Sequence, residues 1–154
     1  MLAELRDLHR EIISRLDDLN ELTMASEPSL VRLAAVRLAL TRASRARTTL
    51  VESLYNQLLG AASRQEQDAL TALASEGRGA LISSIHHIGT WSLSKVSENW
   101  DEYRSASQKM QGSMRTRVSR EAEILYPALM RSSTRLPMSS RTEFPASAAS
   151  LVEV

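Results

Sequence analysis

Apolar side chains return at helical spacing through most of the chain, and nowhere does the strict alternation of a half-buried strand replace that period. Leu2, Leu5, Leu8, Ile12, Ile13, Leu16 and Leu19 line one face of a first helix over roughly 1–24. It stops before Ser26-Glu27-Pro28, where proline forbids continuation. Ser29 offers a cap to a second helix whose stripe is Leu33, Val36, Leu40, Ala43, Leu50, Val51, Leu54 and Leu58, ending near Gly60. A third helix is expected over about 65–93 with Leu70, Leu73, Leu81, Ile82, Ile85 and Ile88 turned inward. Glu76-Gly77-Arg78-Gly79 interrupts it, and at ~1 kcal/mol per glycine relative to alanine a kink or break is expected there. Ser97-Glu98-Asn99 supplies caps for a fourth helix, with Trp100, Tyr103, Met110, Met114, Val118, Leu125 and Leu129 inside, to about Met130.

Four amphipathic helices with short connections predict an all-α protein, an antiparallel up-down-up-down four-helix bundle over residues 1–131. Residues 132–154, rich in Ser, Ala and Pro, read as a C-terminal tail with too little apolar surface to fold alone. The 154 residues are enough for one domain with its own core.

Charge and chemistry narrow the function classes. With 19 basic and 18 acidic side chains the net charge is +1, a field too weak for a dedicated nucleic-acid or membrane-surface binder. No apolar run approaches the ~20 residues that span a bilayer, and the first residues already carry helix periodicity, so a cytoplasmic protein is expected. The absence of Cys removes disulfides, thiolate catalysis and sulfur-based metal sites. The 3 His are His9, His86 and His87, so any metal site would have to be rich in carboxylate. No glycine-rich phosphate loop, Ser/His/Asp order or pair of catalytic carboxylates is present, and no enzymatic activity is expected. A homodimer, or a protein bound through the tail, are the partners left open.

Two stretches carry a resemblance: Leu8-His9-Arg10-Glu11-Ile12 in the first helix, and Glu121-Ala122-Glu123-Ile124-Leu125-Tyr126-Pro127-Ala128-Leu129 closing the fourth. Leu54-Tyr55-Asn56 echoes the same ending in the second helix. Together they resemble the hemerythrin-like, or HHE cation-binding, family over about residues 1–131. The resemblance implies a four-helix bundle around a di-iron centre, with one His from the first helix and an HxxxExxLYP-type motif from the second and fourth. Counting back from the two motif ends places the His slots at Arg47 and Val118 and the Glu slots at Val51 and Ala122. Of the family's ligands only His9 remains in place, so no cofactor is expected and the metal site is degenerate.

The residues at the former metal level have their own chemistry. His9 falls near the middle of the apolar arc of its helix and should point inward. Arg47 lies at the centre of its stripe, where a guanidinium must snorkel outward or find an acceptor, and Glu121 is the inward carboxylate best placed to be one. Arg78 maps to the same level and completes the expected core polar cluster of His9, Arg47, Arg78 and Glu121. The leading expectation is a metal-free binding or regulatory bundle. Two alternatives stand beside it. One is an iron protein acting on oxygen or nitric oxide through His9, Glu11, Glu52, Glu121 and Glu123. The other is a histidine phosphotransfer bundle using His87, expected to be solvent-accessible and to titrate near ~6.5.

Overall fold

Proline ends the first helix where expected. In the computed structural model, which describes residues 1–134, α1 spans Leu2–Met24 and α2 Leu30–Leu59. They are followed by α3 over Arg64–Thr90, a short α4 over Leu93–Glu98 and α5 over Trp100–Thr134. Among the described residues there is no strand. Of the tail expected over 132–154, residues 132–134 belong to α5 and residues 135–154 lie outside the described residues.

Two boundaries differ from the pattern-based expectation. Leu93 and the Ser97-Glu98 pair belong to α4, whose Ser92 cap accepts a hydrogen bond from the Lys95 backbone N–H. The fourth long helix starts at Trp100, directly after Asn99, the last of the three residues expected to supply its cap, whose carbonyl accepts from the Tyr103 backbone N–H. α3 also runs unbroken through Gly77 and Gly79. A glycine's intrinsic cost is small enough for tertiary packing to override, and at Gly77 packing requires the missing side chain: a Cβ there would collide with the Arg117 guanidinium of α5. At its start, Ser63 and Glu66 form a capping box.

α1 packs against α2 and α5, and α3 packs against the same two helices on the other side. The contacts between α1 and α5 run in opposite senses. Arg104 donates to the Thr23 carbonyl at 2.6 Å, Arg115 pairs with Asp17 at 2.6 Å, and His9 meets Glu121 at 2.9 Å. Arg104 and Trp100, which donates to the Ala25 carbonyl at 3.1 Å, also satisfy carbonyls at the end of α1 that its own helix leaves free.

The apolar interior divides in two. One cluster holds Ile12, Leu16, Leu19, Leu33, Leu40, Trp100 and Tyr103; the other holds Leu5, Leu54, Leu58, Leu70, Leu73, Leu125 and Leu129. His9, Arg47 and Glu121 are buried between residues of the two. The second half of α3 departs from its predicted burial: Leu81, Ile82, Ile85 and Ile88 are 44%, 69%, 61% and 49% exposed. Its stripe is real, but beyond Leu73 the face is not covered by any of the described residues. No helix among the described residues is long and apolar enough to cross a membrane.

Candidate functional site

Glu121 sits on the inner face of α5 with no solvent exposure. Its helix places it between Val118 and Leu125, both buried, so spacing alone directs the carboxyl into the interior. Bringing a carboxylate there requires partners, and three cationic or polar side chains from three helices supply them. The Nε2 of His9, from α1, lies 2.9 Å from Oε1. The Nε of Arg117, one turn earlier in α5, lies 2.9 Å from Oε2. The NH1 of Arg47, from α2, stands 3.4 Å from both oxygens.

The proton arrangement follows from the partners. A carboxylate only accepts, so Nε2 of His9 donates to it, and Nδ1 shares a hydrogen bond of 2.6 Å with the Tyr126 hydroxyl. Arg117 is fully engaged: it also donates to the Leu73 carbonyl at 2.8 Å and reaches the Tyr55 hydroxyl at 3.4 Å. Burial raises the Tyr55 pKa, with Arg117 opposing that shift, and burial likewise raises that of Tyr126, with Arg6 opposing. Both hydroxyls therefore stay protonated near neutrality and available as donors. Arg47 is the least committed member. It is 9% exposed, its NH2 donates to Ser44 Oγ at 3.1 Å, and its buried Nε has no hydrogen-bond partner among the described residues.

The geometry brings together His9, Arg47 and Glu121, as their helical phases imply, and leaves Arg78 out. Arg78 is exposed because the inner phase at this level of α3 belongs to Leu73, Ala74 and Gly77, and the next residue is turned about 100° away. Arg117 takes the second guanidinium position instead. It was not singled out from the sequence, although its spacing of four residues from Glu121 is the pattern of a helical ion pair. Tyr126 likewise does more than end a helix, since its hydroxyl orients His9. Of the ligand slots that the resemblance implies, Val51 and Val118 are buried in apolar packing and Ala122 is half-buried. His87 is half-buried too, stacked on Tyr103 with ring centroids 6.1 Å apart; burial first, then Arg37 and His86, lower its pKa from the free-imidazole value expected of it.

These residues do not suit a di-iron pair. Among the described residues no three His, Asp or Glu gather as metal ligands, and Glu11, Glu52 and Glu123 are exposed. The two buried donors, His9 and Glu121, already hold each other, and two guanidiniums at the same carboxylate oppose a dication.

Beside this cluster a cavity of about 660 Å³ opens between α2, α3 and α5, within the usual size range for small-molecule sites. Arg47, Arg117 and Glu121 lie at its wall together with Val51, Met110 and Met114. Comparison of the chain with models of protein families, with curated proteins and with solved structures finds no match.

Proposed function

We propose that the chain is an antiparallel four-helix bundle of the hemerythrin-like kind, with α4 part of the turn between its third and fourth long helices. In it the metal centre has been replaced by a salt-bridged polar layer, and the protein works as a metal-independent small-molecule binding bundle. The pairing of α1 and α3 each with α2 and α5, and the opposed sense of α1 and α5, support the topology. The observation that carries the function is the position of Arg47, Arg117 and Glu121 on the wall of a 660 Å³ cavity, with His9 holding Glu121 from behind. A buried ionic group contributes little net stability, because desolvation offsets the Coulomb attraction, so the cluster is better placed as part of a binding site than as a fold stabiliser. The apolar clusters on either side supply the core, and folding without metal follows from them.

Protein purified from iron-supplemented cells is expected to be colourless, to hold far less than one iron per chain and to keep its helical circular dichroism after chelation. A panel of small acids, amines and neutral amphiphiles is expected to contain at least one compound that shifts tryptophan emission saturably, Trp91 being on the cavity wall. Near two irons per chain with an oxo-iron absorption band, or a panel without a single binder, overturns the reading.

A further inference from the structure

The chemistry of the ligand follows from the charges around the cavity, on the basis of the binding reading above. At the polar layer two guanidiniums, Arg47 and Arg117, face one carboxylate, Glu121, leaving one positive charge uncompensated. Around the whole cavity four cations, Arg47, Arg78, Lys109 and Arg117, stand against two acids, Glu52 and Glu121, so the excess is 4 − 2 = 2 positive charges with His86 and His87 left uncounted. The excess has a specific donor. Arg47 lines the cavity with 9% of its surface exposed and holds Glu121 only at 3.4 Å, while its Nε, itself out of reach of solvent, has no acceptor among the described residues. A guanidinium held to its carboxylate only by long contacts keeps N–H capacity to spare, and a carboxylate oxygen entering from the cavity can take it up. Part of the lining is of a different kind: among serine, threonine and histidine side chains, Val51, Leu81, Trp91, Met110 and Met114 give an apolar wall, with two methionines able to adapt to an irregular shape.

We propose that the cavity binds a small amphipathic monocarboxylate, its carboxylate on Arg47 and its hydrocarbon portion along the Val51, Trp91, Met110 and Met114 wall. One uncompensated charge at the polar layer matches one carboxylate seated there. An amine of the same length would meet two guanidiniums, and an alcohol would gain the wall but leave the excess charge in place.

The test is calorimetric titration of the full chain with octanoate, octan-1-ol and octylamine. Octanoate is expected to bind once per chain, octan-1-ol about tenfold or more weaker, and octylamine weaker still. From butanoate to octanoate the affinity is expected to rise by up to about fourfold per methylene, as burial of each CH₂ on an apolar wall implies. Arg47→Gln is expected to weaken octanoate by about tenfold or more while leaving octan-1-ol within about twofold. Since Arg47→Gln also touches the ion-paired layer, Ser113→Trp provides a second variant: Ser113 is an exposed residue on the cavity wall, and an indole there should occlude both ligands without disturbing the cluster. Equal binding of octanoate and octan-1-ol, or octanoate binding indifferent to both variants, overturns the carboxylate proposal but leaves the binding bundle standing if any panel compound binds. Absence of octanoate binding overturns it as well, and absence of every panel compound removes both readings.

Discussion

α1 and the second half of α3 carry the same kind of pattern and meet different fates. Leu5, Ile12, Leu16 and Leu19 of α1 are completely buried, while Leu81, Ile82, Ile85 and Ile88 of α3 keep 44% to 69% of their surface in water. The difference is in the neighbours. α1 lies in the groove between α2 and α5 along its whole length, with contacts from His9–Glu121 near one end to Thr23–Arg104 at the other. α3 is held against α5 chiefly in its first half, where Glu66 pairs with Arg131, Arg117 reaches the Leu73 carbonyl and Glu76 pairs with Arg120. Beyond Gly77 it stands off, and the space it leaves is the cavity. Periodicity reports that a helix has an apolar face; it does not report whether another element reaches that face.

The largest effect expected from this contrast is a pair of truncations. Leu16→Ala removes a side chain with no exposure from the α1–α2–α5 interior and should cost ~2–5 kcal/mol through lost burial and the void left behind. Ile85→Ala, 61% exposed, should change stability by no more than about 0.5 kcal/mol. Urea unfolding followed by circular dichroism measures both. If Ile85→Ala costs as much as Leu16→Ala, the far half of α3 is covered in solution and the contrast disappears.

A smaller effect separates the two glycines at the border between the docked and free halves of α3. No described residue lies within 4 Å of a Cβ built at Gly79, so Gly79→Ala should stabilise by ~0.4–1 kcal/mol through the helix preference of alanine alone. At Gly77 the same gain is set against displacement of Arg117, which loses its ion pair with Glu121 and its bond to Leu73. Gly77→Ala should therefore be less stable than Gly79→Ala in the same unfolding experiment. Equal stabilisation by both would show that Arg117 does not depend on the close approach.

This border also marks what the sequence could and could not convey. Helix ends were legible where local chemistry sets them, at Pro28 and Gly60, and α1 and α2 fall where the pattern puts them. The split between α4 and α5 was not, because Ser92, Ser97 and Asn99 all have cap-forming side chains and only the packing of Trp91 and Trp100 chooses among them. In the candidate site, His9, Arg47 and Glu121 could be placed by helical phase because each lies at the centre of an apolar arc. Arg117 lies at the seam between α5 and α3, where phase does not distinguish a side chain directed to solvent from one drawn inward by a glycine opposite. Arg78 was misplaced by the same ambiguity: a one-residue step along α3 separates Gly77, against the cluster, from an exposed position.

The smallest expected effect concerns a group through which the far half of α3 still touches the core. His87 stacks on buried Tyr103, and its imidazolium is disfavoured first by burial and then by the charges of Arg37 and His86. Its folded pKa is thus below the unfolded value of about 6.5. Above that value both states are neutral at this site and the residue has no pH-dependent effect. As pH falls below about 6.5 the unfolded chain takes up a proton that the folded chain does not, so this group's contribution to stability declines until pH passes the lower folded pKa and is constant beneath it. His87→Gln removes that dependence. The urea midpoints of parent and variant, compared from pH 7.5 to pH 5, should therefore shift relative to one another in the variant's favour as pH drops. A difference that is flat across the range would mean that His87 is as solvated as Ile85, and that the whole second half of α3, not only its apolar stripe, is free of the core.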